Sequence, residues 1–299
     1  MNEKRLASLG RIAAAARGAG LQSLFAVVRN VLDAILQAVN YPPLSAEIGG
    51  VRLHGFLRHR SFLEDLARGT YEPASRKLFR ELISDAEVFI DAGAHIGLYS
   101  VMAGRFGRPE LIIFSFEPDP YNLRAFRWNQ HVNRCRNVTL TPAAVSNETG
   151  SARLVVSEGT IGSSLVLGRT KIGPTHFLDV KTVSLDPLLK DVTCNALLVK
   201  LDIEGAEIRA LQGMTHTLQR ADRAAVLCEV NPEALGAGGR TPADLITQLI
   251  KAELKVFFIS EAAGGVIPAD TSLNAKGNLL AVRNWPIAEG WILEHPASP

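Results

Sequence analysis

Asp202 and Glu204 in KLDIEGAE and Glu229 in VLCEVN are the side chains of this chain best placed by spacing to move a proton. Each follows an apolar run that reads as a strand, and ligands in open α/β sheets bind at the carboxyl ends of strands. Alternation puts Asp202 and Glu204 on one side while the strand lasts, although the turn at Gly205 can redirect Glu204. Three acids then face one crevice, where a positioned carboxylate can take the proton of an attacking hydroxyl. Asp202 is the first candidate for orienting a substrate or accepting its proton, with Glu204 and Glu229 next. Two other uses stay open. Glu204 could pair with Lys200 or cap the following helix, and Asp202 with Glu229 could hold a divalent cation, although no spacing demands one.

A second group lies in VFIDAGAHIGLYS, residues 88 to 100. Glycines in a first strand-to-helix turn let a backbone approach a nucleotide-like ligand, and Gly93 and Gly97 offer that here. The dinucleotide fingerprint has three glycines, however, and Asp91 at the strand end would repel a pyrophosphate. A ligand with a cationic end suits it better, and S-adenosylmethionine carries an ammonium and a sulfonium. Glu117 stands 20 residues beyond Gly97, at the end of LIIFSFEP, where a carboxylate can accept from both hydroxyls of a ribose. Taken singly, Asp91 could be a strand-end acid or helix cap, and Glu117 a surface acid before a proline turn. His95 is a residue type whose reference pKa lies near neutrality and could serve as a base, or could simply hydrogen-bond within its loop.

Positioning these groups requires a particular order of elements. From Glu87 onward short apolar runs alternate with helical segments, which predicts a doubly wound, mostly parallel α/β sheet covered on both faces. KVFFIS and NLLAVRN, separated by a loop with Gly264, Gly265 and Pro268, should pair antiparallel. Residues 150–189 are rich in Gly, Ser and β-branched types and read as an insertion of strands and loops beside the substrate. His176, Lys171, Ser163 and Ser164 lie there as candidate wall residues. Upstream, VRLHGFLRH reads as a strand and residues 61–83 as helix, turn and helix. Leu21 to Val39 repeats apolar residues at helical spacing, predicting an amphipathic helix packed on the body, on a second subunit or on a membrane surface. The expected division is therefore 1–84 as an N-terminal helical extension and lead-in, 85–284 as the main domain and 285–299 as a tail.

Composition narrows the partners. A net charge of +2 over 299 residues gives no field that would attract a nucleic-acid backbone. Cys135, Cys194 and Cys228 are odd in number and lack metal-ligand spacing, which suits a reduced, cytoplasmic chain. No apolar run is long enough to cross a bilayer. The start lacks the apolar centre of a secretory signal, and its Arg and Ala content only faintly resembles a transit peptide.

DAGAHIGLYS, FEPDPYNLRAFRWNQHVN, NVTLTPAAVSNETG, VKTVSLDPLL, KLDIEGAEIRALQG, VLCEVN and NLLAVR, with the lead-in GTYEP, resemble in order and spacing the FkbM-type class I S-adenosylmethionine-dependent methyltransferases over roughly residues 70 to 283. The resemblance implies a seven-stranded Rossmann-like sheet whose last strand is antiparallel. It also implies that Asp91, Gly93, Ala94, His95 and Gly97 surround the methionine end, that Glu117 with Pro118 meets the ribose, and that Ala144 and Val145 lie near the adenine. His95 departs from the family's usual asparagine. The expected reaction is O-methylation of a small-molecule hydroxyl, sugar-like or natural-product-like, with a homo-oligomer through the N-terminal helix as a further expectation. A nicotinamide-dependent oxidoreductase and a non-catalytic cofactor-binding module are the alternatives.

Overall fold

The computed structural model describes residues 22–157, 163–164 and 175–293. Helix α1 (Gln22–Ala38) precedes a hairpin of β1 (Leu44–Ile48) and β2 (Val51–Gly55), then α2 (Arg60–Arg68) and α3 (Pro73–Ile83). Alternation follows with β3 (Val88–Ala92), α4 (Leu98–Phe106), β4 (Ile112–Phe116), α5 (Pro120–Val132) and β5 (Val138–Thr141). The inserted region contributes β6 (Ala144–Val145), β7 (Gly150–Ser157), β8 (Ser163–Ser164) and β9 (Thr175–Val183). A short α6 (Leu185–Leu188) leads into β10 (Ala196–Leu201), α7 (Glu207–Gln212), α8 (Thr215–Arg220) and β11 (Arg223–Val230). The chain closes with α9 (Pro232–Ala237), α10 (Pro242–Lys251), β12 (Lys255–Ser260), β13 (Gly265–Pro268) and β14 (Gly277–Arg283).

Eight strands form the main sheet in the order β13-β12-β14-β11-β10-β3-β4-β5. Strands β11, β10, β3, β4 and β5 run parallel, and β14 is antiparallel to both of its neighbours. The expected pairing of KVFFIS with NLLAVRN is present. The eighth strand corrects the seven-strand expectation: residues 265–268, read from their glycines and proline as loop, pair antiparallel with β12 at the sheet edge. Pro268 is the last residue of that edge strand, where the missing donor costs no ladder bond. The insertion adds a second, four-stranded sheet, β6-β9-β7-β8.

Helix starts are encoded locally. Asp119 caps α5 by accepting from Tyr121 N, Asn231 caps α9 by accepting from Ala234 N, and Thr241 with Asp244 forms a capping box on α10. In each case a proline occupies the first helical turn, where no amide partner is lost. The core fills both faces of the main sheet. Phe89, Ile113, Leu198, Leu227 and Leu280 face the same side as the hairpin, α2, α3 and α4, while Ile90, Val199, Val226 and Ala281 share the other with α7, α8 and α10. The lead-in therefore shares the main core, so a boundary at residue 84 is not a boundary in packing. Residues 285–293 are likewise tied down: Trp285 and Trp291 are buried, and Trp291 Nε1 donates to Glu81 at 2.5 Å.

Candidate active site

Strand register brings the predicted residues to one line. Ala92 pairs with Leu201 and Phe116, Leu201 with Cys228, and Glu229 with Asn278. One residue further along, Glu117, Gly93, Asp202, Glu229 and Asn278 follow one another across the carboxyl edge of the sheet. This crevice is where an open α/β sheet places its ligand.

Gly93 and Gly97 both adopt left-handed backbone, with φ of +83° and +91°. Their missing side chains leave room for protein. A Cβ on Gly93 would lie 2.0 Å from the Asp202 carbonyl oxygen, and one on Gly97 would lie 3.0 Å from the Phe126 ring. The glycines therefore let the loop press onto the end of β10 and onto α5, a packing need beside the ligand approach expected of them. Asp202 N also donates to Ala92 O at 3.1 Å, fixing the acid beside the loop.

The loop and Glu117 hold each other. Glu117, 4% exposed, accepts from His95 N at 2.8 Å on one oxygen and from Asp119 N at 2.9 Å and Asn122 Nδ2 at 3.1 Å on the other. Burial pushes its carboxyl up to about 8, with the nearby Asp119 adding to the shift and the three N–H donors opposing it. Asp119 in turn pairs with Arg58 at 2.5 Å. His95 has φ +52°, a region that asparagine and histidine both enter more often than most residues. Its ring packs edge-on against His59 and Phe62, and burial, followed by the Arg58 charge, lowers its pKa to about 4. A neutral ring in that setting holds the loop in shape. Asp91 sits one row below the crevice, 2% exposed, accepting from Ser100 Oγ at 2.5 Å, with burial raising its carboxyl to about 6. Ala94 is buried and its N–H donates to Phe116 O at 3.0 Å, while Pro118 is half-buried. Ala144 and Val145 are buried in β6, which belongs to the second sheet and pairs with Thr182 and Val183 of β9.

At the centre of the crevice Lys200, 1% exposed, donates to Asp202 Oδ2 at 3.1 Å. Burial opposes its charge, but the carboxylates of Asp202, Glu72 and Glu229 outweigh that and raise its pKa. Asp202 is a quarter exposed; burial would raise it, yet the Lys200 ammonium and hydrogen bonds from Lys200 and Glu229 hold it below its usual value. Glu229 goes the other way: burial, then repulsion from Asp202 and Glu204, pushes it up to about 10. At neutral pH the pair thus holds one proton and one negative charge. Glu229 Oε2 and Asn278 Oδ1 are buried acceptors with no hydrogen-bond partner among the described residues.

Glu204 has φ +56° at the turn, and its charge bears on Glu229. Glu207, the first residue of α7, closes this turn by accepting from Gly205 N at 3.0 Å and Ile203 N at 3.3 Å. Glu72, to which the sequence alone assigns no role, has φ +42° directly before Pro73, a conformation that costs of order 1–3 kcal/mol. It is held by Tyr99 Oη donating at 2.6 Å and Asn278 Nδ2 at 2.9 Å. The lead-in GTYEP was the available signal for it. Asn278 carried none, because an amide inside an apolar run reads as an ordinary strand residue. Lys171 lies outside the described residues, as do the side-chain surroundings of Ser163, Ser164 and His176. Among the described residues no three His, Cys, Asp or Glu side chains converge to hold a metal ion, and no helix is long and apolar enough to cross a membrane.

The model of the methyltransferase FkbM domain matches residues 91–256, more than half of the chain. The chain belongs to the FkbM methyltransferase family. This FkbM methyltransferase is S-adenosylmethionine-dependent, which sets aside the nicotinamide reading. The match is narrower than the stretch over which the motifs run, and Glu72 and Asn278 fall outside it. The hexuronic acid methyltransferase AglP of Haloferax volcanii is 24% identical over 216 residues, 71% of this chain and 82% of the relative. Methyltransferase 1 of Beauveria bassiana is 25% identical over 148 residues, 44% of this chain and 59% of the relative. Among solved structures, TYW2 of M. jannaschii in complex with AdoMet is 14% identical with a TM-score of 0.42, covering 80% of this chain and 84% of that one.

Proposed function

We propose that this FkbM methyltransferase transfers the methyl group of S-adenosylmethionine to a hydroxyl oxygen of a sugar-like small molecule, with Asp202 accepting the hydroxyl proton. The observation that carries this reading is the set of three acceptors at one place: Asp202, charged and partly exposed, beside the unpartnered Glu229 Oε2 and Asn278 Oδ1. Buried acceptors without partners are costly, of order 1–3 kcal/mol each, unless a ligand brings donors. A polyhydroxylated acceptor supplies several. The name of the relative from Haloferax volcanii, a hexuronic acid methyltransferase, supports the same substrate class.

The crevice also suits the methyl donor. Glu117 keeps acceptor capacity for a ribose hydroxyl after its three protein bonds, and the carboxylates of Asp202 and Glu72 favour a cationic ligand. When bound, S-adenosylmethionine supplies an electrophilic methyl carbon. The protein's part is to align an oxygen with it, exclude water and take up the proton released. Lys200 keeps Asp202 ionised before the reaction and compensates the charge of whichever carboxyl keeps it. Glu229, protonated, donates to Asp202, so a proton arriving at the pair is shared between two carboxyls. Tyr99 and Asn278 hold Glu72 over the same space.

Asp202→Asn should bind S-adenosylhomocysteine like the wild type while losing on the order of 10²–10⁴ in turnover with a hydroxyl acceptor. Wild-type turnover by that variant would remove Asp202 from the chemistry.

A further inference from the structure

Helix α1 is mounted with its polar side inward. Asp33, 9% exposed, accepts from Leu57 N at 3.0 Å and from the Tyr121 hydroxyl, and Gln37 Oε1 accepts from Arg124 at 3.0 Å. The apolar stripe points away from the body: Val27, Val28, Val31, Leu32, Ile35 and Val39 are 46–66% exposed. A helix that docks on its own domain turns this stripe to the core. The sequence expectation of an amphipathic helix holds; Leu36 packs against the main core, while the six residues above do not.

The charge of the sequence leading into α1 and of the α5 region is one-sided. Residues 1–32 carry five Lys and Arg against one acid, and residues 120–147 carry four arginines and no acid. With a whole-chain charge of +2, everything else is net acidic. Arg124 and Arg127, one turn apart on α5, are exposed next to α1, and Arg134 and Arg136 are exposed just beyond its end. An apolar stripe flanked by unpaired-sign charge is the pattern of a helix lying in a membrane interface, with apolar residues at the acyl boundary and cations among anionic head groups. A second copy fits less well. A two-fold interface lays a patch on itself and would bring two sets of these arginines, with no acid among them, into one contact.

We propose that α1 and the arginines of α5 seat the enzyme on an anionic bilayer surface. The helix lies on the membrane and does not cross it. Because Tyr121 of α5 holds Asp33 while Asp119, at the cap of the same helix, donates through its N–H to Glu117, the docked helix is fixed to the cofactor side of the crevice.

The test is co-sedimentation of the full chain with phosphatidylcholine vesicles, with and without about a third of phosphatidylserine. Wild type should sediment with the anionic vesicles and much less with the neutral ones. Val28→Glu with Ile35→Glu should reduce partitioning more than tenfold. Arg124→Ala with Arg127→Ala should reduce it about thirtyfold, from about 1 kcal/mol per basic residue near the surface. S-adenosylhomocysteine affinity unchanged in both pairs would show that the fold is intact; should the first pair unfold, the arginine pair decides. Sedimentation that ignores phosphatidylserine overturns the proposal. So does wild type that ignores vesicles but runs as a dimer, with the glutamate pair restoring the monomer in light scattering.

Discussion

Replacing Asp202 and Glu229 singly and together tests whether they share one charge with Lys200. At pH 7 Glu229 is protonated, so Glu229→Gln swaps one neutral group for another and should be neutral or stabilising. Asp202→Asn removes the anion 3.1 Å from Lys200, but it also removes the repulsion that, after burial, does most to keep Glu229 protonated. Glu229 can then ionise against Lys200, which limits the loss to about 1–2 kcal/mol. The double variant has no such relief. A lysine that is 1% exposed would lose its hydrogen-bonded carboxylate and keep only the charges of Glu72 and Asp91, and breaking a buried pair costs about 3–5 kcal/mol. The coupling should therefore be about 2 kcal/mol, read from urea unfolding of the four proteins. Titration gives a second reading. The folded value of about 10 for Glu229 lies above the unfolded 4.5, so its contribution to stability is complete below the unfolded value and lost as pH rises through about 10. Glu229→Gln should flatten that part of the wild-type profile. Additive losses within about 0.5 kcal/mol, with no change in the pH slope, would refute the shared-charge arrangement.

Gly93→Ala forces a Cβ against the Asp202 carbonyl at a φ of +83° and should destabilise by about 3 kcal/mol, measured by urea unfolding; a near-neutral effect would mean that the loop does not lie against β10 as described. Glu117 is raised to about 8 when buried without a ligand, whereas ribose hydroxyls favour its ionised form. Affinity for S-adenosylhomocysteine should therefore tighten as pH rises from 6 toward about 8, with proton release visible by calorimetry in buffers of different ionisation enthalpy. Glu117→Gln should remove both effects.

The sequence is most legible where chemistry and local geometry coincide. Strand–helix alternation, the [Asp/Asn/Thr]-Pro helix starts and the line from Glu117 to Glu229 could be read from it because each rests on spacing within one or two elements. Edge strand β13 could not, since its glycine and proline are loop residues unless a neighbour supplies the ladder. The reason for Gly93 was also hidden: the atom it avoids belongs to a residue more than 100 positions away. The bond from Gly205 N to Glu207 was hidden as well, because it depends on the left-handed backbone at Glu204 and Gly205, which spacing alone does not reveal. Asn278 became visible only when β14 was found beside β11, with its amide between Glu72 and Glu229. The polar mounting of α1 was hidden too, because periodicity reveals a stripe but not the direction in which it faces.

The most direct measurement is the position of the transferred methyl group. Purified enzyme, isotopically methyl-labelled S-adenosylmethionine and a panel of uronic acid and neutral glycosides would be incubated and the products analysed by mass spectrometry before and after mild alkaline hydrolysis. The account predicts an alkali-stable methyl ether on a ring hydroxyl. Label found only as an alkali-labile ester on the carboxylate, or on nitrogen or carbon, would contradict it.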